Sequence, residues 1–514
     1  MDCENRVINQ TKNNRKRETE NNINSPKSDR VFRGVCALFV FLLFLYLVWA
    51  AGLKEFWYDE VATIGYVRSG LSLRDVLHYY QTIEVTNLPL YALIVYGFYH
   101  ILPPENIWVL LPGILMTLAG IWLLVRLADR TIGRRAAYAA LFMCLCSTTV
   151  INRMALELRA YALLFFAAVL VTDRFLCLKD RTDVKQLSIA SGAMIVLAFS
   201  HYFGVLYLVL LGLGALVCIL RDKKKWKMML PFLVSAAAFF PWFITAMQAT
   251  KVDTGSFWIA PPGWTELPET VGYLLGGNYL LCILYGVGFL WLLYDIVVLK
   301  QRELHRMVYA LAGPAMLAVI FIYSRWINPG GGLYENRYFI AALPCILLTA
   351  CCGFEKITSL AGKMHRRIVY GIAVGFLAAA CAAGAVRSFS DSREQYARYS
   401  YAAERIIMEE DLDDQDILLV CVSYDDVGGV VLEGWYDYYL FRKGYVANRL
   451  IMTQNSSLDA VLQDENTAYA GDMPYYKKIY VVGDTDHIVY HGSDYVITEQ
   501  DFFYKFTVLE RLDG

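Results

Sequence analysis

The sequence predicts a polytopic α-helical membrane protein with a C-terminal α/β domain outside the membrane. Three observations predict it. Of 514 residues, 57% are hydrophobic and 14% aromatic, and the mean hydropathy of +0.39 exceeds that of soluble domains. The apolar residues gather into runs of about 20, the length that crosses a bilayer. Beyond Val386 the pattern changes to short apolar runs between acidic segments. The formal net charge of −1 hides an asymmetry, because residues 1–34 are basic and the region after 386 is acidic. No basic stripe interleaved with aromatics lies outside the short loops, so no nucleic-acid partner is expected.

Residues 1–30, rich in Asn, Lys, Arg and Glu, read as a disordered cytoplasmic tail. No small-residue cleavage site follows the apolar run 31–53, which is therefore expected to stay as the first span. Further spans are expected at 106–127, 135–152, 158–178, 228–249, 278–299, 307–325, 337–353 and 367–386. The stretch 184–220 is too long for one helix. Lys179-Asp180-Arg181 precedes it and Arg221-Asp222-Lys223-Lys224-Lys225 follows it, so both flanks are cytoplasmic and the stretch is a hairpin with its tip near His201. Residues 87–102, with Asn87, Pro89 and His100, are expected to be an interfacial helix. Counted as a span, they would carry the loop of Arg126, Arg130, Arg134 and Arg135 outside. The result is about 11 transmembrane helices over 31–386, a first outer loop at 54–104, and a multi-pass protein of the cell membrane. Its N-terminus is cytoplasmic and its domain 387–514 extracytoplasmic.

In that domain a helix is expected at about 391–410, strands at Asp416–Ser423, Tyr445–Met452 and Lys478–Asp484, and a short helix at Ser457–Gln463. Strands alternating with helices make a small α/β fold. Only Cys3 and Cys421 of the twelve cysteines fall outside apolar segments, so no disulfide framework holds it. Chance accounts for the sequon Asn455-Ser456-Ser457, and the acidic loops read as a solvated surface, with cation binding as the alternative.

This topology puts Asp59, Glu60, Arg153, Glu157, Arg159, His201 and Arg337 on one face, the outer one. Adjacent carboxylates at Asp59-Glu60 fit either a solvated helix end or acid–base chemistry at the membrane surface.

The outer-face residues resemble those of the GT-C superfamily of membrane glycosyltransferases, of the family 39 and 83 type (protein-mannosyltransferase-like and aminoarabinose-transferase-like). Trp57-Tyr58-Asp59-Glu60 is similar to the aspartate motif of their first outer loop. Asn87-Leu88-Pro89-Leu90-Tyr91 resembles a His-Pro-Pro-Leu-Tyr segment, with Asn87 in place of His and Leu88 in place of the first Pro. Glu157-Leu158-Arg159-Ala160-Tyr161, His201-Tyr202-Phe203, Pro241-Trp242, Phe257-Trp258 and Asn336-Arg337-Tyr338-Phe339 with Pro344 follow in order over 31–350.

The resemblance implies a GT-C-like catalytic domain that takes a monosaccharide from a polyprenyl- or dolichyl-phosphate donor, with inversion. Asp59 is then the general base. Glu60 assists it, binds the acceptor, orients a metal, or simply faces solvent. Arg159 and Arg337, with Tyr161 and Tyr338 close behind them, would hold the leaving phosphate. The plain alternative for Arg337 is snorkelling at a helix end. Glu157 pairs with Arg153 or Arg159, or helps bind a divalent cation. His201 contacts phosphate or metal, or is a satisfied polar residue at a hairpin tip. A divalent cation stays open, because no compact His/Asp cluster has ligand spacing. Trp258 and Trp264 are expected to anchor the interface, with a sugar platform as the alternative, and most of the tyrosines of 273–338 to pack. The acceptor is a glycan, lipid or protein, and membrane lipid is the other partner. The rival reading is a lipid or solute transporter or flippase, which would show internal repeats and mid-span charges. A non-catalytic scaffold is a third.

Overall fold

The structure, a computed structural model, describes residues 26–54, 72–82, 87–102, 106–249, 259–301, 303–329, 332–360, 417–422, 450–453, 476–483, 490–501 and 506–512, with a few single residues and short pieces between them, Phe56 and Glu60 included. Trp57, Tyr58 and Asp59, residues 1–25, Phe257-Trp258, the helix expected at 391–410, the sequon and most of the span expected at 367–386 lie outside the described residues.

In a bilayer the backbone must satisfy its own hydrogen bonds, so the apolar runs become helices. They are α1 (Pro26–Leu53), α2 (Leu73–Thr82), α3 (Leu90–Ile101), α4 (Asn106–Thr131), α5 (Arg134–Cys146), α6 (Tyr161–Leu178), α7 (Val184–Ala198), α8 (Tyr202–Arg221), α9 (Leu230–Ala249), α10 (Glu266–Leu274), α11 (Tyr279–Val297), α12 (Leu304–Ile322) and α13 (Leu343–Leu360). Among the described residues eight helices are long and apolar enough to cross a membrane, or nine if α5 and the π-helical turn Thr149–Ala155 form one bent span. The chain is a membrane protein. The count falls below eleven partly because α7 is short; with α8 it still forms the expected hairpin, turning at Phe199–His201. The helix expected at 87–102 is α3, which at 12 residues is only about 18 Å long and cannot span.

Two local features differ from expectation. The expected span at 135–152 breaks after Cys146 and bends by 66° into the π turn. The cause is a neighbouring backbone. Gly276, at φ +71°, lies so close that a Cβ there would sit 2.5 Å from the Thr148 nitrogen, and Thr149 donates its hydroxyl to the Tyr273 carbonyl. The second feature is α2, inside what reads as an outer loop. Ser72 and Asp75 cap it reciprocally, the Ser72 N–H donating to Asp75 Oδ2 at 2.9 Å and the Asp75 N–H to Ser72 Oγ at 3.3 Å. Its Val76 and Tyr80, one turn apart, pack with Ala92 of α3 and Trp242 of α9.

Small residues allow the tightest helix crossing. Where α11 meets α13, a Cβ on Gly288 would lie 1.9 Å from the Thr349 carbonyl oxygen, and one on Gly353 2.0 Å from that of Leu284.

After the membrane helices comes a five-stranded sheet of order β2-β1-β3-β5-β4, with β1 (Ile417–Val422), β2 (Leu450–Thr453), β3 (Lys478–Gly483), β4 (Tyr495–Asp501) and β5 (Phe506–Arg511). The three expected strands are β1, β2 and β3, paired in parallel. The antiparallel pair β4–β5 was not expected. Residues 458–459 of the short helix expected at Ser457–Gln463 are described, and they are helical. Strand alternation splits β3 between two cores. Tyr480 and Val482 join the apolar core of the membrane helices, while Ile479 and Val481 pack with Val420, Leu458 and Leu509.

Candidate active site

The helices alternate in direction, so their ends sort into two sets. Lys54 follows α1, Arg159 precedes α6, His201 caps α8 and Arg337 precedes α13; these ends lie together. The basic segments at Arg130–Arg135, Lys179–Arg181, Arg221–Lys225 and His305-Arg306 lie at the opposite end.

The loop after α1 is tied down by a buried ion pair. The Lys54 ammonium donates to Glu60 Oε1 and to the Leu156 carbonyl, and both charged side chains are shielded from water. The same Glu60 oxygen accepts from the Leu158 N–H at 2.6 Å. Burial pushes the Glu60 carboxyl up and the Lys54 amine down, and their mutual attraction opposes both shifts. Glu60 therefore does not face solvent. It joins the loop holding Asp59 to the loop holding Glu157 and Arg159.

The second loop is a tight turn in which the Arg159 N–H donates to the Glu157 carbonyl at 2.8 Å. Glu157 is buried; its Oε2 pairs with Arg153 at 3.4 Å, while its Oε1 has no hydrogen-bond partner among the described residues. Of the two expected partners, the one seen is Arg153. Nearby, the Tyr91 hydroxyl is also buried without a hydrogen-bond partner among the described residues, against Gly113 of α4. Burial, with Glu60 and Glu157 behind it, holds this phenol well above the usual range.

His201 meets the tyrosines from two loops. Its ring centroid lies 6.4 Å from that of Tyr161 and 5.2 Å from that of Tyr338. Its Nδ1 accepts the Phe203 N–H at 3.2 Å, as a helix N-cap. Burial pushes its pKa down to about 3, helped by Arg159 and Arg337. The ring is thus neutral, and with Nδ1 accepting, Nε2 carries the proton. Arg337 lies 5.9 Å from the Tyr338 ring, with its Nε 3.7 Å from Glu335 Oε1. The neighbouring Asn336 is held through Thr270, which donates to Asn336 Oδ1 at 2.5 Å.

No protein-family model matches this sequence, and no curated protein matches it. Solved structures do. ArnT from Cupriavidus metallidurans bound to undecaprenyl phosphate superposes with a TM-score of 0.57 at 13% identity, over 93% of this chain and 98% of that one. The apo state of ArnT gives the same TM-score and coverage at 14% identity. ArnT is an aminoarabinose transferase of the GT-C fold.

This chain has the GT-C fold.

Within this GT-C chain, Glu60, Glu157, Arg159, Tyr161, His201, Arg337 and Tyr338 all lie at one end of the bundle, while Asp59 lies outside the described residues. Sequence reasoning missed Lys54, whose place after an apolar run reads as snorkelling. Tyr273, expected to pack, does pack against the apolar core, and its half-buried phenol also feels Arg153 and Glu157 and is held above its usual range, chiefly by burial. Trp264, expected as an interfacial anchor, is exposed, with its ring tilted 39° to that of Phe321 at a centroid distance of 4.9 Å and Arg325 beside it. Among the described residues no three His, Cys, Asp or Glu side chains gather as a metal site.

Proposed function

We propose that the chain is a membrane glycosyltransferase that moves a monosaccharide from a polyprenyl-phosphate donor to an acceptor on the non-cytoplasmic face, with inversion at the anomeric carbon. One observation supports this most. A chain with the GT-C fold gathers two arginines, tyrosine hydroxyls and a neutral histidine beside buried acids at the end remote from its basic loops. By the positive-inside rule that end faces away from the cytoplasm. The ArnT structure holds undecaprenyl phosphate, and a donor of that class is assigned here by analogy of fold.

The acceptor hydroxyl oxygen attacks the anomeric carbon and gives its proton to the Asp59 carboxylate. The bond from that carbon to the phosphate oxygen breaks, and the electron pair leaves with the lipid phosphate. Arg159 and Arg337 stabilise this growing negative charge, and the His201 Nε2–H with the Tyr161 and Tyr338 hydroxyls supply neutral donors. Glu60 acts as a positioning residue, because its bonds to Lys54 and Leu158 fix the loop next to Asp59. Glu157 Oε1, without a hydrogen-bond partner among the described residues, is an oxygen this end offers to a sugar hydroxyl or a divalent cation.

Asp59→Asn tests the reading. Sugar transfer from a polyprenyl-phosphate donor should fall on the order of 10²- to 10⁴-fold, with expression and donor binding kept. Lipid-linked, wall and protein glycans from cells lacking the gene should lack one sugar. An unchanged profile in all three fractions, or full activity of Asp59→Asn, would return the chain to the transporter or scaffold readings.

A further inference from the structure

The end of the bundle remote from the candidate active site holds a cavity of about 580 Å³ between α4, α6, α7 and α12, and its lining is basic. Arg130, Arg174, Lys179, Arg181 and His305 face it, with Gln186 beside them and Asp180 as the one carboxylate. Arg130 and Arg174 share a single buried partner, Asp173, which lies 2.7 Å from Arg130 and is also bonded to Arg174. Lys179 and Arg181 are exposed and make no ion pair among the described residues. The concave surface thus carries more positive charge than its own carboxylates offset, and such a site concentrates anions. Guanidinium forks match phosphate oxygens in particular.

The position selects the kind of anion. The lining closes where spanning helices end among the basic loops, the depth of lipid headgroups, and Leu176 and Leu304 give it an apolar side. We propose that this cavity binds the phosphate of an anionic phospholipid headgroup, a site separate from the sugar-transfer end. Arg174 and Arg130 would grip the phosphate, with Lys179 and Arg181 closing over it from the loop. A soluble phosphate compound would present the same chemistry, and the test separates the two.

The full-length protein is placed in nanodiscs of mixed phosphatidylcholine and phosphatidylglycerol, and the lipid kept on release is counted by native mass spectrometry. Phosphatidylglycerol should be enriched over phosphatidylcholine. The double variant Lys179→Gln/Arg181→Gln, at exposed positions, should lose the enrichment by on the order of tenfold. The control Lys223→Gln/Lys224→Gln, also exposed but outside the cavity, should keep it. Equal retention of the two lipids, an unchanged double variant, or an equal loss in the control would each overturn the proposal. Added inorganic phosphate should leave the lipid bound. Displacement by phosphate, but not by chloride of equal ionic strength, would reassign the cavity to soluble phosphates and overturn the lipid claim.

Discussion

Lys54 and Glu60 form an ion pair with almost no contact with water, and the energetics of such pairs are asymmetric. Removing one partner strands a buried charge at a cost of about 3–5 kcal/mol, whereas replacing both with apolar groups is close to neutral. Lys54→Met alone should therefore lower the thermal midpoint in detergent sharply, and Lys54→Met/Glu60→Leu should recover much of the loss. Recovery of stability without recovery of transfer would identify the pair as a positioning device; a double variant no better than the single would refute the pairing. His201 gives a pH prediction. Its folded pKa of about 3 lies below the ordinary value of 6.5, so between these values the unfolded chain binds the extra proton. The stability tied to the neutral ring is complete above pH 6.5 and is lost as pH falls toward 3, by at most about 1.4 kcal/mol per pH unit. The difference between wild type and His201→Gln should show this slope in thermal scans. A His201→Gln curve parallel to wild type would contradict it.

At the scale of elements, the α11–α13 crossing rests on the absence of side chains at Gly288 and Gly353. Gly288→Val should force the helices apart at a cost of at least about 1–3 kcal/mol, read as lost monodisperse protein in size-exclusion chromatography. Gly286, with open space around its Cβ position, should tolerate the same change. The spans were legible in sequence because a membrane helix is declared by local hydropathy and by the charges that flank it. The hairpin α7–α8 was found from the length of its apolar stretch and the lysines and arginines that flank it. The break after Cys146 was not, because the backbone of Gly276 that imposes it is distant in sequence. The hairpin β4–β5 escaped for a related reason. β4 carries Val496 and Ile497 half-exposed among Thr, Glu and Gln, and its identity as a strand comes from pairing with β5.

At the scale of the whole molecule, Tyr480, Val482 and Val508 bind the sheet into the core of the membrane helices. Each such side chain contributes about 1.5–3 kcal/mol when fully buried. Truncation after residue 386 should lower the thermal midpoint of what remains by several degrees. An unchanged midpoint would show that the two parts are energetically independent. Charge is also arranged globally, with the basic loops at one end and the buried acids, neutral histidine and arginines at the other.

The sequence alone determined the membrane class, most spans and the set of polar residues that share an end. These follow from transfer free energies and loop charge, which act residue by residue along the chain. Only the tertiary structure decided what those residues do to one another. It showed that Glu60 turns inward to Lys54 and Leu158, that Glu157 takes Arg153, and that Arg130 and Arg174 share Asp173. Such pairings depend on which loops meet after the helices pack. A buried charge takes whichever partner the fold brings within reach, and no local pattern records that choice.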